Sequence, residues 1–315
     1  MRISKLLSVA FAGLFTALWS EAATATPQPA PPGGPIEAFA THNESSTTSV
    51  RHNLWNDVIG TILEEGPGGR GEIEYGELGR LGHDVLDSYL KIMQGIEVSG
   101  LNRDEQLAYW LNLYNAKSLK IMFGQFKGVA GNKIQGAGHN PHRSKRVRVK
   151  KVYLGEDSPW GTPSLSVQGV DLSLNDIEHR ILYAYWDPKR VLYGLSCPAR
   201  GCPSLQAAFN GTTVNQQLAA AAQAFLARKD AIKVKRGRLE VSELYQWHMS
   251  AFGSENAVID HIRGMAGPAL APDLAGISSI DAYEFSWRLN GSEPPPDWKE
   301  PAGMTNRGSG LPAQF

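Results

Sequence analysis

Cysteine is scarce in this chain: 315 residues contain two, Cys197 and Cys202. A dense disulfide framework is therefore excluded, and stability has to come from an apolar core. Charge of either sign is also not in excess, with 31 Lys and Arg against 31 Asp and Glu. That balance removes the electrostatic argument for a nucleic-acid partner or an anionic surface. Beyond Trp19 no stretch is long and apolar enough to span a bilayer. Internal repeats are absent, and so is a proline-rich linker between residues 46 and 293, so one domain is expected there.

The ends read differently from the middle. Arg2 and Lys5 precede the apolar run Leu6 to Trp19, and Ala23-Thr-Ala25 follows as a small-residue cleavage pattern. Residues 1–25 thus read as a signal peptide, which predicts a secreted or periplasmic protein with no stable membrane insertion after cleavage. A membrane anchor is the alternative, but the run is shorter than the roughly 20 residues a spanning helix needs. Residues 26–45, rich in Pro, Ala, Thr and Gly, read as a disordered leader, and 294–315 as a disordered tail.

Between them the periodicity predicts interspersed helices and strands. Leu54, Val58, Ile59, Ile62 and Leu63 form one stripe of a helix over 50–63, and a second helical period covers 85–96. A third helix starts at the cap Leu101-Asn-Arg-Asp104 and runs through Phe123, with Leu107, Trp110, Leu111, Tyr114 and Leu119 as its buried stripe. Within it Glu105, Asn112 and Asn115 are polar residues on an apolar helix. Asparagine is a poor helix-interior residue. Its two amides either hold neighbouring backbone or orient a catalytic group.

Arg143 to Lys151 is basic with alternating valines and reads as a half-buried strand, with His139 and His142 a weak metal pair beside it. Val152 to Leu154 reads as a strand. A hairpin is expected around Gln168-Gly169, followed by a capping box Ser173-Leu-Asn-Asp176 opening a helix that carries Glu178 and His179. Val191 to Leu195 reads as a strand, Val214 to Ala227 as a helix, and 232–241 as a hairpin turning at Arg236-Gly237. Helices near 244–247 and 257–265 and a strand within 280–289 complete an α+β fold with a mixed or antiparallel sheet. A papain-like cysteine hydrolase is one candidate form of it.

The chemistry concentrates in Leu195-Ser-Cys-Pro-Ala-Arg-Gly-Cys-Pro-Ser204. Pro203 suits the first position of a helix, which predicts Cys202 at its N-cap, where the helix dipole favours thiolate. A cysteine with a nearby histidine is the pattern of nucleophilic catalysis: the imidazole takes the thiol proton and a third polar group fixes its tautomer. Cys202 and His179 are the candidates, with Asn112, Asn115 or Glu105 as orienters. Glu178 is discounted, since helix neighbours point in different directions. In an oxidising compartment a Cys197–Cys202 disulfide is the competing expectation. The C-x4-C spacing lacks the C-x-x-C pattern of thioredoxin-type redox motifs.

Four stretches carry a resemblance: Tyr109-Trp-Leu-Asn-Leu-Tyr-Asn-Ala116, Leu174-Asn-Asp-Ile-Glu-His179, Gly194-Leu-Ser-Cys-Pro-Ala-Arg-Gly-Cys-Pro203 and Tyr283-Glu-Phe-Ser-Trp-Arg-Leu-Asn290. In that order they resemble the domain of unknown function 547 family, whose histidine and second cysteine match at His179 and Cys202. Where that family often has Asp-Tyr-Asp-Trp near the end, this chain has Ala282-Tyr-Glu-Phe285. The family has no general assigned activity, though fusion to glutaredoxin-like modules in similar domains hints at thiol ligands. Two functions are carried forward. One is a cysteine-dependent hydrolase or acyl or peptidyl transferase acting on a peptide-like or glutathione-like substrate. The other is a non-catalytic binding module for a small peptide or thiol ligand. Neither needs a cofactor or a metal.

Overall fold

Helix α3 (Arg103–Val129) is the axis of the molecule. Every residue from Glu105 to Ala116 is buried, so this part of the helix is covered on all sides and not along one stripe. The computed structural model describes residues 33–75, 77–129, 149–155 and 157–291. The expected signal peptide, the tail and the two histidines at 139 and 142 lie outside the described residues.

Around α3 the chain lays α1 (Asn53–Ile62) and a two-stranded antiparallel ribbon, β1 (Leu63–Glu65) with β2 (Gly71–Ile73). Next come α2 (Gly79–Gln94), α3, and the short α4 (Val149–Leu154). The hairpin β3 (Leu165–Val167) and β4 (Val170–Leu172) turns at Gln168-Gly169 as expected, both at positive φ. A π-helix, Asp176–Leu182, leads into α5 (Tyr183–Tyr185) and α6 (Pro188–Val191). After α7 (Val214–Leu226) come β5 (Ile232–Lys235), β6 (Arg238–Ser242), α8 (Glu243–Trp247), α9 (Met249–Phe252), α10 (Glu255–Met265) and β7 (Ala282–Glu284). β5 and β6 pair antiparallel and β6 and β7 parallel, giving one mixed three-stranded sheet. The result is an α+β fold.

Two apolar clusters fill it. The larger joins α1, α2 and α3 to the cysteine loop through Trp55, Tyr89, Trp110 and Phe123. The smaller joins α7, β5, β6 and α10 through Phe225, Leu239, Tyr245 and Ile259. Among the described residues no helix is long and apolar enough to cross a membrane.

Several local expectations are corrected. The leader is shorter than 26–45: Ile36 donates its N–H to the Arg180 carbonyl at 3.1 Å, and buried Phe39 packs edge-on against Trp110. Val152 to Leu154 is helical in α4, not a strand. Val191 to Leu195 is not a strand either. Asp187 accepts the Lys189 N–H at 3.0 Å and Pro188 takes the first helical position, so α6 starts there and continues as a 3-10 turn, Leu192–Gly194. The signal was the Asp-Pro pair, which outweighed the β-branched valine.

Candidate active site at the cysteine loop

Cys197 and Cys202 are joined as a disulfide, with both residues buried. Of the two expectations for this pair, the bridge is the one present, and Cys202 has no free thiol in this state. Nor does Cys202 open a helix. Residues 203–213 form no helix at all, because distant side chains hold their backbone. Gly71 N–H donates to Ser204 Oγ at 3.1 Å, Ala208 N–H to Asn56 Oδ1 at 2.9 Å, and Asn210 N–H to Gln217 Oε1 at 2.8 Å. Backbone groups so satisfied gain nothing by closing helical turns.

The loop that carries the sulfurs is fixed from several sides. Asn115, on α3, donates to the Gly194 carbonyl and accepts the Ser196 N–H, both at 2.9 Å. Ser118, nearly one turn on, donates to the Ser196 carbonyl at 3.2 Å. Asn290 donates to the Cys197 carbonyl at 2.9 Å and accepts from Tyr75 Oη at 2.6 Å. Arg228 donates to the Cys202 carbonyl at 2.7 Å and to the Arg200 carbonyl. Arg200 in turn pairs with buried Glu72 at 3.2 Å. Buried groups left unpaired would be costly, so this density of contacts holds the loop in one conformation.

Glycine is required where the loop begins. A Cβ on Gly194 would lie 2.7 Å from Leu218 Cδ2 and 2.9 Å from Leu111 Cδ2. Gly194→Ala therefore overpacks the junction of α3 and α7 and should cost about 1–3 kcal/mol in a urea titration; an unchanged midpoint would show that the two leucines can move aside.

Both sulfur-bearing residues line a small cavity with Glu178, His179, Tyr183, Trp247 and His248. The space is about 40 Å³, room for a few waters or one small functional group. His179 and Glu178 reach the same cavity because they lie in a π-helix, whose wider turn brings sequence neighbours closer to one face. The capping box is present as expected: Ser173 N–H donates to Asp176 Oδ2 at 2.9 Å and Asp176 N–H to Ser173 Oγ at 3.1 Å. The Asp176 carboxyl lies below the usual range; burial opposes this, but the hydrogen bonds from Ser173 and Arg180 outweigh it.

Glu178 is buried and accepts hydrogen bonds from Tyr114 and Tyr183, each at 3.0 Å. The Tyr183 ring lies between two imidazoles, edge-on to His179 at 5.5 Å and to His248 at 5.2 Å. Burial lowers the His248 pKa, against the pull of Glu178 and with the help of His179, which keeps it a neutral proton acceptor.

The structure brings Cys202 and His179 to one cavity but leaves the expected orienters away from it. Asn112 donates to the Phe209 carbonyl at 2.8 Å and accepts its N–H at 2.9 Å. Asn115 holds the loop as described. Glu105 accepts the Val50 N–H at 2.7 Å at the start of α3. All three hold backbone in place. His179 makes no hydrogen bond among the described residues. His248, Trp247 and Arg228 were missed; the one sequence signal for them was that each stands near an end of a predicted helix or strand. The Trp247 ring lies tilted against Phe285 at 4.7 Å and Trp287 at 5.8 Å, so the aromatic residues of the stretch around Tyr283 border the same region.

No curated protein and no solved structure matches the chain. The region that holds the two asparagines of α3, the π-helix histidine and both cysteines falls within a single family match, while the stretch around Tyr283 lies beyond it. Residues 98–226 match the family described as Protein of unknown function, DUF547.

Proposed function

We propose that the chain is a secreted or periplasmic cysteine-dependent hydrolase or acyl or peptidyl transferase, latent while its two cysteines are bonded. The observation that supports this reading is the shared cavity: Cys202, His179 and a neutral second imidazole, His248, border one small space. The loop presenting the sulfur is pinned by Asn115, Asn290 and Arg228, as a positioned nucleophile requires.

A small-molecule thiol first opens the bridge. Its thiolate attacks the Cys197 sulfur, the Cys202 sulfur leaves with the bond electrons, and a second thiol frees Cys197 as the oxidised small-molecule disulfide departs. His179 then takes the Cys202 proton. The thiolate attacks the carbonyl of an amide or thioester, and the imidazolium returns the proton to the departing amine or thiol. Water releases the acyl group as an acid, and an amine releases it as a new amide. The cavity holds one functional group only, so the substrate inserts its reacting carbonyl and leaves its body outside. Peptide-like and glutathione-like compounds have that shape.

A second reading is favoured by the bridge itself: a module that binds a small peptide or thiol ligand without turnover. Alkylation separates the two. Reduced protein is mixed with iodoacetamide near neutral pH and the modified cysteine is identified by peptide mass. Under the hydrolase reading Cys202 reacts faster than a model thiol, His179→Gln slows it at least tenfold, and Cys197→Ser leaves the rate high. A reduced Cys202 as sluggish as free cysteine discards the enzyme and leaves the binding module.

A further inference from the structure

Away from the sulfurs a cavity of about 460 Å³ lies among α6, α7, α9 and α10, and none of its lining residues borders the cysteine site. Its volume is that of a small-molecule pocket. The walls are apolar: Leu218, Ala219, Ala222, Phe252, Ala257 and Met265. The floor is polar and ordered. Tyr193 is buried, its hydroxyl meeting Tyr245 Oη at 3.0 Å and His261 Nε2 at 2.9 Å, with the Tyr193 and His261 rings parallel.

Two cations stand at this cavity, Lys189 and Arg190, against one carboxylate, Asp187. Asp187 caps α6 by accepting the Lys189 N–H, and Arg190 donates to Asn215. The Lys189 ammonium has no hydrogen bond or ion pair among the described residues. Burial and the Lys189 charge lower the His261 pKa despite Asp187, so the floor carries no positive charge at neutral pH. Positive charge is thus confined to Lys189 and Arg190, beside a greasy chamber.

We infer that this cavity binds a small amphiphile, with a carboxylate at Lys189 and Arg190 and an apolar body against Leu218, Ala222, Phe252 and Met265. Arg190 retains further N–H donors beyond the one given to Asn215. An ammonium head would meet two like charges, and a neutral head would leave the Lys189 ammonium without a counter-charge.

Calorimetric titration of the full chain with decanoate, decanol and decylamine, each below its micelle concentration, tests this. Decanoate should bind with one site per chain, decanol at least tenfold more weakly, and decylamine more weakly again. The double variant Lys189→Gln, Arg190→Gln should lose at least tenfold in decanoate affinity. Ala219→Trp, placed on the exposed side of α7, should block the cavity without shifting the melting temperature. Cys197→Ser with Cys202→Ser should bind decanoate normally, which separates this site from the proposed catalytic one. Absence of saturable heat, equal binding of the amine, or full binding by Ala219→Trp each overturns the proposal.

Discussion

Asn115→Ala lowers the free energy of unfolding by about 3–5 kcal/mol in a urea titration, among the largest single losses expected in this chain. Asn115 is 3 % exposed and its amide serves both the Gly194 carbonyl and the Ser196 N–H. Truncation strands two buried backbone groups at about 1–3 kcal/mol each and leaves a small void. The Phe209 pair at Asn112 has the same geometry, so Asn112→Ala should cost a similar amount. The two losses differ in consequence. Only Asn115→Ala releases the segment that presents the sulfurs, so only it should speed reduction of the Cys197–Cys202 bridge by dithiothreitol. A cost below 1 kcal/mol would mean that water replaces the amide, and the loop would then not be pinned as described.

The second large effect is acid destabilisation through His52. Its side chain is buried, with Nδ1 at 2.7 Å from Tyr89 Oη and Nε2 without a partner. Burial lowers its pKa from 6.5 to about 4. The neutral ring is therefore the folded form, and the unfolded chain takes up the proton first as pH falls. Stability from this group is complete above pH 6.5, declines between 6.5 and about 4, and is flat below. The loss over that window is about 3 kcal/mol. His248 and His261 shift in the same direction and add to the slope. Urea titrations at pH 7 and pH 4 should therefore show His52→Phe, which keeps a ring against Tyr89, losing about 3 kcal/mol less than the parent. Equal losses in both would place the acid sensitivity elsewhere.

The difference between what was readable and what was not follows interaction range. Helices α1, α2, α7 and α10 and the hairpins β3–β4 and β5–β6 were legible because periodicity and turn chemistry are local. Arg236 and Gly237 at positive φ, for instance, need only each other and the flanking strands. The cysteine loop resisted the same reasoning. Pro203 promised a helix start, yet Asn112, Asn56 and Gln217 took up the backbone groups that a helix would have paired. The π-helix likewise has no sequence mark, and it decided that Glu178 joins His179 at the cavity.

Composition and motif order by themselves determined the α+β class, the family resemblance over residues 98–226 and the identity of Cys202 and His179 as residues to watch. Those depend on residue type and short spacing. Tertiary structure alone decided that the two sulfurs are bonded, that Asn112, Asn115 and Glu105 hold backbone, and that His248 faces the same space. Each of those outcomes turns on contacts between residues remote in the chain, where burial makes an unpaired polar group too costly to leave and the available partner is whatever the fold brings near.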